Sequence, residues 1–201
     1  MIDGLLSLIL SAEVGRTKIE LQKTNDSYAA AILAERAKAG KTYTVTYDIS
    51  YRGTILADKT EFASLVRETL GSPSGWARAG VIFKEVSSGG RLHVVLASGE
   101  QVRAASPSGC SATLSCTVKP YVLINDERWR LATDSYNNAG QSLKKYRQMV
   151  INHEVGHFLG HNHLTNCANG VAPVMLQQST GLRGCTANEW PLDSELWVSG
   201  L

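Results

Sequence analysis

Hydrophobic and polar positions first fall into a regular pattern at Lys41. Tyr43, Val45 and Tyr47 alternate with Thr44, Thr46 and Asp48, the period-2 signature of a half-buried strand. Over residues 61–70 the spacing lengthens. Phe62, Leu65, Val66 and Leu70 share one face and Gly71 follows as a stop, so an amphipathic helix is predicted. Residues 81–86 and 92–97 are two further strands, joined through Gly89-Gly90, a turn signal. Residues 113–118 form a weaker strand candidate, and residues 121–124 a short apolar run. A helical stretch at 127–132 leads to Asn137-Asn138-Ala139-Gly140, which is composed as a loop. Ser142 can cap a long helix running to about Leu159. Beyond it the chain is rich in Asn, Gly, Pro and Thr and reads as irregular, with one short helix near 192–197.

Five strand candidates precede the long helix, interrupted by one amphipathic helix. This order predicts an α+β fold: a mixed sheet packed against two helices, with a small irregular C-terminal subdomain. Residues 1–40 stand apart. Residues 17–38 are rich in Ala, Lys, Glu and Leu and end at Gly40, which reads as a helix or helical linker. The expected organisation is an N-terminal helical or linker segment over 1–40 and one folded domain over 41–201. At 201 residues the chain has room for one domain with a sizeable core.

Composition narrows the class. Apolar residues make up 43% and charged residues 19%, as in soluble globular proteins. The net charge is +2 and the basic residues are scattered, so nothing asks for a nucleic-acid partner. The apolar run at residues 5–10 is too short to span a membrane. Asp3, rather than a basic residue, precedes it, which is unlike an export signal. No strong membrane signal is present, and a monomer is expected.

The four cysteines are Cys110, Cys116, Cys167 and Cys185. None forms a C-x-x-C pair, which argues against a zinc knuckle or a thioredoxin-like motif. All lie in turn-rich stretches of the second half. Two disulfides are the natural reading, and they point to an oxidising, extracytoplasmic or secreted setting. Three pairings are open to four cysteines. Cys110–Cys116 and Cys167–Cys185 are favoured, because each closes a short local loop.

The chemistry concentrates in residues 153–163, which hold four of the five histidines. His153 and His157 are four apart, so on a helix both imidazoles lie on one face. Glu154 flanks that face without having to ligate, and can deprotonate a water as general base. Gly160 lets the helix stop in a left-handed turn, from which His163 swings back as third ligand. Three imidazoles around one Zn²⁺ leave a fourth position open, the mark of a catalytic site. His161 falls at the wrong offset for a ligand, and His93, in a strand pattern, reads as structural.

The stretch matches H-E-x-x-H-x-x-G-x-x-H without a mismatch and resembles the metzincin clan of zinc peptidases. The resemblance implies a downstream turn with a Met beneath the metal. Met175 in Pro173-Val174-Met175, twelve residues past His163, is the match. Some clan members carry a Tyr two residues after that Met; here the position is Gln177. Gly75-Trp76, Tyr146-Arg147, Val150-Ile151-Asn152-His153, Ala172-Pro173-Val174-Met175, Gly184-Cys185 and Asn188-Glu189-Trp190-Pro191 extend the likeness. Together they resemble an uncharacterised family of exported zincin-like proteins best known from actinobacteria, over roughly residues 42–191. The resemblance implies a zincin-like fold: a five-stranded mixed sheet, a backing helix and an active-site helix. Its fourth strand would be an antiparallel edge that pairs with an extended substrate, here residues 113–118. The expected activity is hydrolysis of peptide bonds in a peptide or protein substrate. One alternative is a zinc-binding, non-catalytic interaction module of the same fold. Another is a zinc enzyme of a different clan, in which Glu189 or Glu195 replaces the third histidine.

Overall fold

The computed structural model of the chain describes residues 42–199 and Leu201. The expectations for residues 1–40 lie outside the described residues. The elements run in the order β1 (Tyr43–Arg52), α1 (Lys59–Leu70), a 3₁₀ turn (Trp76–Ala79), β2 (Val81–Glu85), β3 (Leu92–Ala97), α2 (Gly99–Ala105), β4 (Cys116–Val118), β5 (Tyr121–Asn125), α3 (Asp126–Leu131), α4 (Asp134–Asn138), α5 (Leu143–Leu159) and a second 3₁₀ turn (Asp193–Glu195). The fold is α+β with a five-stranded mixed sheet of order β2-β1-β3-β5-β4. Four strands are parallel, and β4 lies antiparallel to β5 at one edge.

β1 is read twice. Its first half pairs with β2, from Tyr43↔Val81 to Tyr47↔Glu85. Its second half pairs with β3, from Tyr47↔Leu92 to Arg52↔Ala97. The two partners lie on opposite sides of β1, so residues 86–91 cross it. The Gly89-Gly90 signal therefore does not close a hairpin between neighbouring strands. Gly90 N–H donates to Asp48 Oδ2 at 2.8 Å. A Cβ on Gly90 would lie 2.7 Å from the Tyr47 backbone, so the crossing requires glycine.

β3 shows why both sheet faces are covered. Leu92, Val94 and Leu96 join the main core with α1 and α5. Val95 and Ala97 point the other way, into a second cluster with Val102, Cys110 and Leu123. α2 supplies Val102 to that cluster, and its amphipathic pattern is too short to stand out in the sequence. A strand buried on both faces reads as a continuous apolar run.

Other elements follow their local chemistry. Asp58 caps α1 by accepting from the backbone N–H groups of Thr60 and Glu61. Ser142 caps α5 by accepting from Lys145 N–H. The 137–140 stretch, expected to be a loop throughout, begins inside the one-turn α4, whose Tyr136 is fully buried. Burial of that ring holds the turn against weak local propensity. The expected helix near 192–197 contracts to the 3₁₀ turn Asp193–Glu195. The segment after α5 has little regular structure. Isolated bridges and the Cys167–Cys185 disulfide tie it together. Cys110–Cys116 is the other disulfide, bridging directly into β4. Among the described residues no helix is long and apolar enough to cross a membrane.

Candidate metal centre

α5 is buried along most of its length, including Asn152, His153, Glu154 and Val155. It ends as its sequence predicts. Gly160 sits at φ 109° and caps the helix in the left-handed region. A Cβ there would lie 2.1 Å from Ser199 O, so both backbone conformation and packing exclude other residues. The chain then turns back and places His163 beside His157, with their Nε2 atoms 3.0 Å apart. One ligand atom from each of His153, His157 and His163 lies within 4.8 Å of the other two.

The ring orientations are set by acceptors that cannot donate. His153 Nδ1 faces Val174 O at 2.8 Å, and His157 Nδ1 faces His161 O at 2.8 Å. A carbonyl only accepts, so each Nδ1 carries the proton and each Nε2 keeps its lone pair. Burial and the neighbouring His157 push the His153 pKa down to about 3, against the opposing bond to Val174 O. Burial also lowers His157 and His163. Neutral imidazoles with converging lone pairs are the form that ligates. Nitrogens held 2.0–2.1 Å from a tetrahedral zinc lie about 3.3 Å apart, and the His157–His163 pair, at 3.0 Å, comes near that spacing.

Glu154 lies beside this cluster at the wall of a cleft of about 540 Å³, which is also lined by Leu114, Thr117, Lys119, Gln177 and Thr180. Its carboxyl is buried, and burial pushes its pKa up to about 7, opposed by a hydrogen bond from Thr117. Thr117 Oγ1 lies 2.8 Å from Glu154 Oε2 and 2.9 Å from the Glu154 carbonyl oxygen. β4 is thereby fastened to the helix that bears the candidate base. The segment expected as an edge strand over 113–118 is an antiparallel edge, shortened to Cys116–Val118. Nothing in the local pattern marks Thr117, because its partner is 37 positions away.

Met175 is fully buried. Its sulfur packs against α5 at Gly156, where a Cβ would lie 2.3 Å from Met175 Sδ and 2.9 Å from Trp76 Cζ2. Its backbone matters as much as its side chain. Val174 O accepts from His153, and Met175 O accepts from Leu164 N–H, next to His163. Glu195 holds the same turn from behind, with its carboxylate accepting from Val174, Met175 and Leu192 N–H. Burial raises the Glu195 pKa, and these three bonds oppose the rise. Gln178, fully buried, ties the start of the turn to the later chain by bonding Pro173 O and both the N–H and C=O of Asn188.

The remaining candidates fall outside the cluster. Glu195 faces backbone N–H groups, and Glu189 reaches toward Lys145, so neither replaces His163. His161 contributes its carbonyl to His157 while its ring packs at a tilt against Trp197 and Trp76. It is buried, and it lines the cleft between Gly160 and Asn162 without joining the imidazole trio. His93 bonds Asp48 at 2.8 Å and stacks on Tyr121, within the sheet.

No curated protein and no solved structure matches the chain. One family model does match, and it begins at residue 19, inside the segment set apart above as 1–40. Because that match spans residues 19–198, the chain belongs to the family described as Protein of unknown function (DUF3152).

Proposed function

We propose that this protein is a zinc-dependent endopeptidase built on the metzincin plan and working in an oxidising, extracytoplasmic compartment. The observation that carries the reading is the convergence of three neutral imidazoles beside a buried carboxyl, in a cleft bounded by an antiparallel edge strand. The two disulfides support the compartment.

The Nε2 atoms of His153, His157 and His163 would hold the Zn²⁺. When bound there, the ion lowers the pKa of a water toward neutrality and polarises a carbonyl. Glu154 takes the proton from the attacking water on a carboxylate oxygen and then delivers it to the leaving amine. Thr117 holds Glu154 in place by its hydroxyl. The free side of β4 offers backbone groups to an extended peptide, in the manner of strand addition. Gln177 stands in the cleft wall, at the position where some clan members carry a tyrosine.

The test combines metal content with cleavage of casein and mixed peptides, with and without a chelator. Wild-type protein is expected to hold one zinc and to lose activity on chelation. Glu154→Gln should keep the metal and lose turnover, whereas His163→Ala should lose both. Wild-type cleavage rates in Glu154→Gln would overturn the base assignment. Zinc binding by wild type without any cleavage would favour a non-catalytic interaction module.

A further inference from the structure

Glu195 is a buried acid with no role in the proposed reaction, and two of its three side-chain bonds lead to the turn beneath the metal cluster. Its side chain is held within the fold, the residue being 1% exposed. Oε1 accepts from Met175 N–H at 2.8 Å. Oε2 accepts from Val174 N–H at 3.0 Å and from Leu192 N–H at 2.8 Å. Both oxygens accept, the pattern of an ionised carboxylate.

The Met175 N–H and the Val174 C=O belong to the same peptide unit. The carboxylate therefore bonds one end of that peptide, while His153 Nδ1–H bonds the other. A negative charge at the N–H end polarises the amide and makes its oxygen a stronger acceptor. Histidine ligands are commonly oriented by a carboxylate on the ring nitrogen that does not bind the metal. Here a peptide stands between the two. The next carbonyl, that of Met175, accepts from Leu164 N–H, so the anchored turn also braces the backbone beside His163.

We infer that Glu195 is a positioning residue that fixes the proton and the aim of His153 through the Val174–Met175 peptide, and so tunes the metal site from a distance. The inference rests on the reading of His153 as a ligand. Glu195→Ala leaves three backbone N–H groups without their acceptor. Glu195→Gln keeps one oxygen but turns an amide N–H₂ toward another donor, so its effect should be intermediate.

Two measurements test this together: Zn²⁺ affinity by competition with a chromophoric chelator, and the His153 ring resonances of metal-free protein by ¹⁵N NMR. Val102→Ala, in the cluster on the opposite sheet face, serves as a destabilised control matched in urea midpoint. Glu195→Ala should weaken Zn²⁺ binding by roughly ten- to a hundredfold and alter the His153 Nδ1–H resonance. Glu195→Gln should fall between it and wild type, and Val102→Ala should change neither. If Glu195→Ala does not fold, the same two readouts on Glu195→Gln decide the matter. An unchanged His153 signal, or an affinity loss equalled by the control, overturns the proposal. Absence of zinc binding by wild-type protein instead overturns the metal reading, and the His153 resonances still decide whether Glu195 acts through the peptide.

Discussion

Asp48 shows how a residue far from the metal cluster contributes to the fold. Its carboxylate accepts from Gly90 N–H and pairs with His93. Burial alone would raise its pKa, but the bonds from His93, Gly90 and Gly89 outweigh it and hold the pKa below the usual carboxylate value. A folded pKa below the unfolded one stabilises the protein above the unfolded value, about 3.9. That stabilisation is lost as pH falls through the folded pKa. Asp48→Asn is expected to cost about 1–2 kcal/mol near pH 6, and the gap to wild type should close as pH drops below about 4. Urea midpoints of both proteins across that range check it. The sequence is unevenly legible at this scale. His153, Glu154, His157 and Gly160 are readable because a helix converts spacing directly into geometry. Thr117 and Glu195 are not, because Glu154 and the Val174–Met175 turn lie far from them in sequence, and Gln178 is not, because its partners are backbone groups, which leave no mark on residue identity.

Among the elements, β1 and the segment that crosses it invite the sharpest comparison. Gly89 and Gly90 are adjacent but answer to different constraints. Gly89 has φ 70° with nothing within 4 Å of an added Cβ, whereas at Gly90 that Cβ meets the Tyr47 backbone at 2.7 Å. Gly89→Ala should cost about 1 kcal/mol, for the left-handed conformation alone. Gly90→Ala should cost about 3 kcal/mol, because a strand backbone cannot move aside as a side chain can. Chemical denaturation of the two variants separates them, and equal losses would argue against the crossing. The strands and α1 follow from hydrophobic period or, at β5, from an apolar run, whereas α5, buried nearly all round, is legible from its Ser142 cap and its histidine spacing. The strand order does not, since a glycine pair marks a tight passage without saying what it passes. α2 and α4 escape notice because each is barely one or two turns long and owes its place to a single buried side chain, Val102 or Tyr136.

On the scale of the whole molecule, the two disulfides divide the labour. Cys167–Cys185 closes the longer loop, within the irregular segment that carries Met175 and Gln178. Replacing both of its cysteines with serine should cost about 3 kcal/mol, against about 2 for the shorter Cys110–Cys116 loop. Only the first pair should also weaken metal binding, as read by calorimetry beside urea unfolding. The α+β architecture was visible before the structure because alternating and helical periods separate cleanly along the chain. The C-terminal segment was visible only as irregular, since buried amides and a carboxylate shape it more than hydrophobic period does. β4 has a consequence for the protein's behaviour in concentrated solution. An open edge that can receive a peptide strand can in principle receive the same edge of another copy, the route by which sheets aggregate. This edge is three residues long, bounded by a disulfide at Cys116 and by Pro120, which has no N–H to donate. An edge this short runs out of partners quickly, so the peptide recognition proposed for it would not bring self-association with it.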